Sequence, residues 1–246
     1  MCRIAGIINF HQPINITQNY VSGMCDALAS GGPDASGIFV DENAGICLGH
    51  RRLAIIDLSQ AANQPMYYAN QRFVISFNGE IYNYQQVQSE LKGLGYSFET
   101  NSDTEVILAA YAHWGTQAFE RFNGMYAFAI YDKVEQKLVL TRDPAGIKPL
   151  YYAVTDEGIA FASEVKALKL IPYLQTPHQH WKVYFLAYGH LPEPITTLQK
   201  VQPLAKGNCL VFEVASKKVT QHQFAKFKFS ETHGNREEVV GDLKNI

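Results

Sequence analysis

The chain has 246 residues, 47% hydrophobic and 18% charged, a balance that fits a folded globular protein and excludes a disordered one. A net charge of −2 provides no basic surface for nucleic acid or for an anionic membrane. No run approaches ~18 uninterrupted apolar residues, so no membrane-spanning helix is expected.

Met1–Phe10 superficially resembles a short signal peptide. It carries one charge before a very short apolar run, and His11-Gln12-Pro13 follows without a small-residue cleavage site. A first β-strand over Ile4–Phe10 is the better reading. Val21, Met24, Cys25 and Leu28 then recur at helical spacing within Gln18–Leu28. Gly37–Val40, Ile46–His50 and Phe73–Phe77 read as strands, and Gln85–Leu94 as a surface helix ended by Gly95. The clearest helix is Asp103–Trp114, which Ser102 can cap, with Glu105 placed for a capping box and Val106, Ile107, Ala110 and Tyr111 on one face. Four more strands follow at Ala127–Tyr131, Lys137–Arg142, Tyr151–Val154 and Ile159–Ala162, and a short helix begins at Glu164–Leu168. Strands joined by hairpin-length turns, with few helices between them, predict an α+β protein with stacked, mostly antiparallel sheets and helices outside.

Two later regions differ. Pro172–Pro203, rich in Pro, His and Gln, reads as an extended connector. A strand and then a polar, Lys-rich stretch occupy Phe212–Asn235. An amphipathic helix starts in Asn235–Ile246, with Val239, Val240, Leu243 and Ile246 on one side. That division gives a domain over residues 1–212, then a linker and the start of a missing C-terminal domain over 213–246. Docking of the last helix back onto the core is the alternative. The cysteines (Cys2, Cys25, Cys47 and Cys209) form no C-x-x-C pair and no metal spacing, so no metal site is expected. Without a secretion signal, a reduced cytoplasmic protein is expected.

Cys2 follows Met1 directly, and a small second residue permits removal of the initiator. The chain would then begin with a thiol and a free α-amine on one carbon, groups whose ordinary pKa values of ~8.5 and ~8 let the amine take the thiol proton. The plainer reading is a small apolar residue opening a strand. Three segments add groups suited to a glutamine-like substrate, each with a plain alternative. Asn78-Gly79 can hold an oxyanion, or form a hairpin turn. Arg51-Arg52 can grip a carboxylate, or form a solvated basic turn. Asp103 can bind an ammonium, or cap its helix.

Cys2…Gly6-Ile7, Gly32–Gly37, Gly49–Leu58, Gln64-Pro65-Met66, Phe77–Tyr84, Ser102–Leu108, Phe122–Asp132, Arg142–Tyr152 and Phe161–Leu168 together resemble the class II glutamine amidotransferases. The likeness is to the glutaminase domain of glutamine-hydrolysing asparagine synthetases, in one order from Cys2 to about Phe212. It implies a four-layer α/β/β/α N-terminal nucleophile hydrolase fold. It also implies Cys2 as nucleophile and Asn78 and Gly79 as the oxyanion hole. Arg52, rather than Arg51, would hold the α-carboxylate of L-glutamine and Asp103 its α-ammonium, with Glu80 and the Leu53 backbone nearby. No cofactor is implied for this chain. ATP and magnesium would belong to an absent synthetase domain or subunit that receives the ammonia, and a homodimer is compatible with the family. A homologue serving another amide-forming partner, or a non-catalytic domain that stabilises or regulates a synthetase, are the competing readings.

The sequence departs from the family pattern at three places. Arg3 replaces the usual small residue after the cysteine. Ser30 and Gly31 replace the usual His-Arg before Gly-Pro-Asp. Ala145 stands where a large apolar residue is usual. Arg3 can either bring its charge to Cys2 or project from the opposite face of the strand.

Overall fold

Apolar residues in the first strand do not alternate with polar ones, because both faces of its sheet are covered. In β1 (Arg3–Asn9) every residue after Arg3 is buried, the pattern of a strand sandwiched between two layers. A computed structural model describes residues 2–53 and 63–226. The helix expected at the C-terminal end, Asn235–Ile246, lies outside these, as do Met1 and positions 54–62, which include the last five residues of the Gly49–Leu58 motif.

The first sheet contains β1, β2 (Ala35–Asp41), β3 (Ile46–Arg52), β8 (Tyr151–Thr155), β9 (Gly158–Ala162) and β10 (Gln202–Pro203), in the order β10-β8-β9-β1-β3-β2. The second contains β4 (Met66–Tyr68), β5 (Phe73–Ile81), β6 (Gly124–Asp132), β7 (Lys137–Arg142), β11 (Asn208–Glu213) and β12 (Lys218–Gln223), in the order β12-β11-β7-β6-β5-β4. The strand pairs are antiparallel; Ile4 sits opposite His50, and Asn78 opposite Ala127. The predicted strands are present, most extended by one to four residues at one or both ends.

Three layers of apolar side chains hold the four structural layers together. Ile4, Ile8, Leu48, Val74, Ala129, Leu140 and Phe161 fill the space between the sheets. The outer face of the first sheet packs Ala5, Ile7 and Cys47 against Val21, Met24 and Cys25 of α1 (Ile14–Ala27), beside α4 (Val165–Leu168). The outer face of the second packs Phe77, Phe128 and Ile130 against Val87 of α2 (Tyr84–Gly93) and Val106 and Ile107 of α3 (Asp103–Trp114). Each fully buried Leu, Ile or Phe contributes about 1.5–3 kcal/mol, which makes this burial the main stabilising term.

Two expectations need correction. Ser102 does cap α3, accepting the Thr104 N–H at 3.1 Å, but Glu105 does not close a capping box. Its carboxylate reaches past Ser102 to the N–H groups of Glu99 and Thr100, at 2.9 and 2.7 Å. The Pro172–Pro203 connector also contains a helix, α5 (Trp181–Tyr188). None of its residues is buried, and Gly189 ends it in a left-handed conformation. Lys182 is its only charged residue, and an almost uniformly apolar run shows none of the alternation of faces by which helices are read. Beyond Phe212 the chain continues as a hairpin, β12 pairing with β11 from Lys218 to Gln223.

Candidate active site

Cys2 stands immediately before β1. Side chains on a strand alternate between faces, so Cys2 lies on the side of Ile4 and Ile8, between the sheets. Its Sγ accepts the Leu53 N–H at 3.3 Å and lies 3.5 Å from the Leu53 carbonyl. The thiol is half-buried, unlike the other three, which are buried. Burial pushes the Cys25 and Cys209 thiols up to about 11 and that of Cys47 up to about 12. Those three are apolar packing groups at neutral pH.

The end of β3 puts the two adjacent arginines on opposite faces. Ile46, Leu48, His50 and Arg52 share the face toward the second sheet, while Arg51 points to the opposite face with Cys47. Arg3 pairs with Arg51 across the β1–β3 ladder, so Arg52 lies one step further along, beside Cys2. Arg52 is 8% exposed, and its guanidinium donates to Asn63 Oδ1 at 2.6 Å.

His50, on the same face, was not singled out by the sequence. It is fully buried, and its Nε2 bonds the Phe77 carbonyl at 3.0 Å, bridging the sheets. Burial pushes its pKa down to about 4; the bond to Phe77 opposes the shift and the Arg52 charge adds to it. The imidazole is therefore neutral, with Nε2 as the donor. On the other side of Phe77, its N–H donates to Gln64 Oε1 at 2.6 Å, and Gln64 donates onward to Thr104 Oγ1 at 3.3 Å. Phe77, the residue before Asn78, is thus held at both its backbone N–H and its carbonyl.

Asn78 and Gly79 are not a hairpin turn. They lie within β5, opposite Ala127 and Tyr126 of β6. The Asn78 side chain shares the inter-sheet face of Val74 and is fully buried, and among the described residues neither its amide nitrogen nor its oxygen has a hydrogen-bond partner. A buried, unpartnered amide costs about 1–3 kcal/mol. Such a cost is characteristic of a group reserved for something that binds. A side chain at Gly79 is excluded, because a Cβ there would meet the Met125 carbonyl oxygen at 2.3 Å. Only glycine lets the two strands approach at this point.

Asp103 opens α3 and is 4% exposed. Its Oδ2 accepts the Ile81 N–H at 3.0 Å, which places the carboxylate beside the end of β5. Burial pushes its pKa up to about 6, against the hydrogen bonds from Ile81 and Thr104 and with the help of the Glu80 charge. Glu80 lies on the same side of β5 as Asn78.

The turn after β7 supplies a group that the sequence reading overlooked. Asp143 is fully buried, and its carboxylate accepts the N–H groups of Tyr126, Ala145, Ile147 and Lys148. This folds Asp143–Leu150 back into the molecule and leaves Lys148 only 1% exposed. Burial lowers the Lys148 pKa, Asp143 opposes the shift, and the charges of Arg3, Glu80 and Cys2 are all felt at its ammonium. A lysine in the otherwise apolar run Gly146-Ile147-Lys148-Pro149-Leu150 was the available signal.

Comparison with known proteins identifies the family. A profile described as a glutamine amidotransferase domain matches residues 1–225. The chain belongs to that family.

Among the relatives of this amidotransferase domain, an asparagine synthetase [glutamine-hydrolyzing] 1 of Bacillus subtilis is 39% identical over 209 residues, 82% of this chain and 32% of that protein. A putative asparagine synthetase [glutamine-hydrolyzing] 2 of Methanocaldococcus jannaschii is 32% identical over 243 residues, 91% of this chain and 46% of that protein. The domain thus spans 32% and 46% of these two curated relatives. The glutamine phosphoribosylpyrophosphate amidotransferase of B. subtilis, in complex with ADP and GMP, superposes with a TM-score of 0.66. It is 19% identical, and the match covers 92% of this chain and 50% of that one. The fold is therefore the expected α+β N-terminal nucleophile hydrolase arrangement of two antiparallel sheets between helices. Among the described residues, no group of three or more His, Cys, Asp or Glu could hold a metal ion, and no helix is long and apolar enough to cross a membrane.

Proposed function

We propose that this amidotransferase domain hydrolyses the side-chain amide of L-glutamine with Cys2 as nucleophile. The observation that carries the proposal is Asn78, a fully buried amide with both polar atoms unpartnered, on the inter-sheet face where Cys2 also lies. Removal of Met1 exposes the Cys2 α-amine, which takes the thiol proton as sulfur attacks the amide carbon. The oxygen of the tetrahedral intermediate receives hydrogen bonds from Asn78 Nδ2 and the Gly79 N–H. The carbon–nitrogen bond breaks, the α-ammonium returns the proton to the departing ammonia, and water hydrolyses the glutamyl thioester to glutamate and free thiol.

Arg52 holds the substrate α-carboxylate and Asp103 its α-ammonium, with Glu80 and the Leu53 backbone completing the cradle. No cofactor enters these steps. The relatives named as glutamine-hydrolysing asparagine synthetases support a synthetase domain or subunit as the acceptor of the ammonia. ATP and magnesium would serve asparagine formation from aspartate there. Cytoplasmic residence and homodimer formation belong to the same proposal.

Glutamate release from glutamine, measured for the wild type and Cys2→Ala, tests it. Turnover that disappears in the variant, with an electrophilic glutamine analogue attached to Cys2 in the wild type, is the expected result. Retention of Met1 in the intact mass would sink the proton transfer as written.

A further inference from the structure

Two positions that depart from the family pattern, Arg3 and Gly31, meet in space. Arg3 lies on the face of β1 opposite Cys2, toward the turn Ala29–Gly31 that follows α1. A Cβ built on Gly31 would lie 2.6 Å from Arg3 Cγ, 2.8 Å from Nε and 2.9 Å from Cζ. The arginine therefore runs over bare glycine backbone. From this seat Nε donates to Glu164 Oε1 at 2.7 Å, and one terminal nitrogen turns back to donate to the Cys2 carbonyl at 3.0 Å. Side-chain exposures of 20% for Arg3 and 30% for Glu164 put the pair partly out of water, where screening is weaker than at an open surface.

We propose that Arg3 is a positioning residue for the nucleophile, a clasp that ties the Cys2 carbonyl to Glu164 at the start of α4, and that residue 31 is glycine to admit it. The clasp works at the most fray-prone part of any chain, its first residues. The sheet already holds Ile4, whose N–H donates to Ser163 Oγ at 2.9 Å. Arg3 extends that order one residue further, to the peptide that sets the direction of the Cys2 thiol. The guanidinium suits this task because one rigid fork can serve the carboxylate and the carbonyl together; an ammonium cannot span both in the same geometry.

The kinetic consequence rests on the glutaminase reading, whereas the structural one does not. Glutamate release and backbone hydrogen exchange of the N-terminal peptide are measured on the full chain for wild type, Arg3→Ala, Arg3→Lys, Gly31→Arg and the double variant Arg3→Gly with Gly31→Arg. Arg3→Ala is expected to lower kcat about 10- to 100-fold with KM within about twofold, as a misdirected nucleophile does. Its Ile4 and Ala5 amides should exchange faster, and Arg3→Lys should recover only part of the rate. Gly31→Arg should be as impaired as Arg3→Ala, with the double variant clearly better than Gly31→Arg alone. Wild-type exchange in Arg3→Ala overturns the clasp. A double variant no better than Gly31→Arg overturns the role of Gly31. If the wild type itself releases no glutamate, the glutaminase reading fails and the exchange data still decide the clasp.

Discussion

Asp103 takes the Ile81 N–H at 3.0 Å, so the acid that opens α3 is anchored to the strand that carries Asn78 and Glu80. The bond fixes the carboxylate, and burial keeps its pKa near 6. A carboxylate held this way is ionised at pH 7 but takes up a proton at a higher pH than an exposed one.

For Asp103, KM for glutamine should rise as pH falls through about 6, where the carboxylate takes up a proton. The stability effect has the opposite sense. The folded pKa lies above the ordinary 3.8, so the folded state binds the proton more tightly, and stability declines as pH rises from about 4 to about 6. Asp103→Asn should therefore stabilise the fold at pH 7–8 by at most about 3 kcal/mol, seen as a higher Tm, while raising KM about 100-fold or more. A pH series of steady-state kinetics and thermal melts checks both.

His50 contributes with the other sign. Its folded pKa near 4 lies below the ordinary 6.5, so its stabilising effect is complete above about 6.5 and is lost as pH falls toward 4. Over that range Asp103 gains what His50 loses, and the wild-type profile is flattened. His50→Gln should make the protein more resistant to acid unfolding than the wild type, read as urea midpoints between pH 4 and 7. A parallel shift at all pH values would remove His50 from the account.

Removing the Asn78 amide should separate catalysis from stability. Asn78→Ala is expected to lower kcat for glutamine hydrolysis by about 10²–10³, with KM little changed. Because that amide has no partner in the empty protein, Tm should hold or rise. A loss of stability together with activity would mean that Asn78 is a structural group.

The two adjacent arginines provide an internal control. Arg52→Ala should raise KM about 30-fold or more through loss of a charge-assisted contact to the substrate carboxylate. Arg51→Ala, altering the opposite face of β3, should leave KM within about twofold. Equal effects in both variants would refute the assignment by strand face.

Legibility in the sequence followed whether a feature is local. Helix α3 is read at its observed bounds because its cap, Ser102, and its apolar face all lie within one short stretch of chain. Strands appear as apolar runs because both sheets are covered on both faces, and their exact ends depend on pairing partners that spacing does not reveal. Of the site, Cys2 is conspicuous by its position, whereas Asn78-Gly79 reads equally well as a turn until its pairing with β6 is known. His50 escapes notice because its partner arrives from another strand, and Lys148 because nothing in its own spacing shows that the turn folds inward. Phe77 is 27 residues from His50, and Lys148 is buried only because Asp143 gathers its turn.

The protection of three thiols makes the fourth countable. Cys25, Cys47 and Cys209 are both enclosed and protonated at neutral pH, so a mild alkylating reagent meets one competent sulfur per folded molecule. The number of adducts then measures the fraction of intact sites in any preparation, and an excess over one measures unfolding. The core thus supplies a built-in calibration for every rate measured on this enzyme.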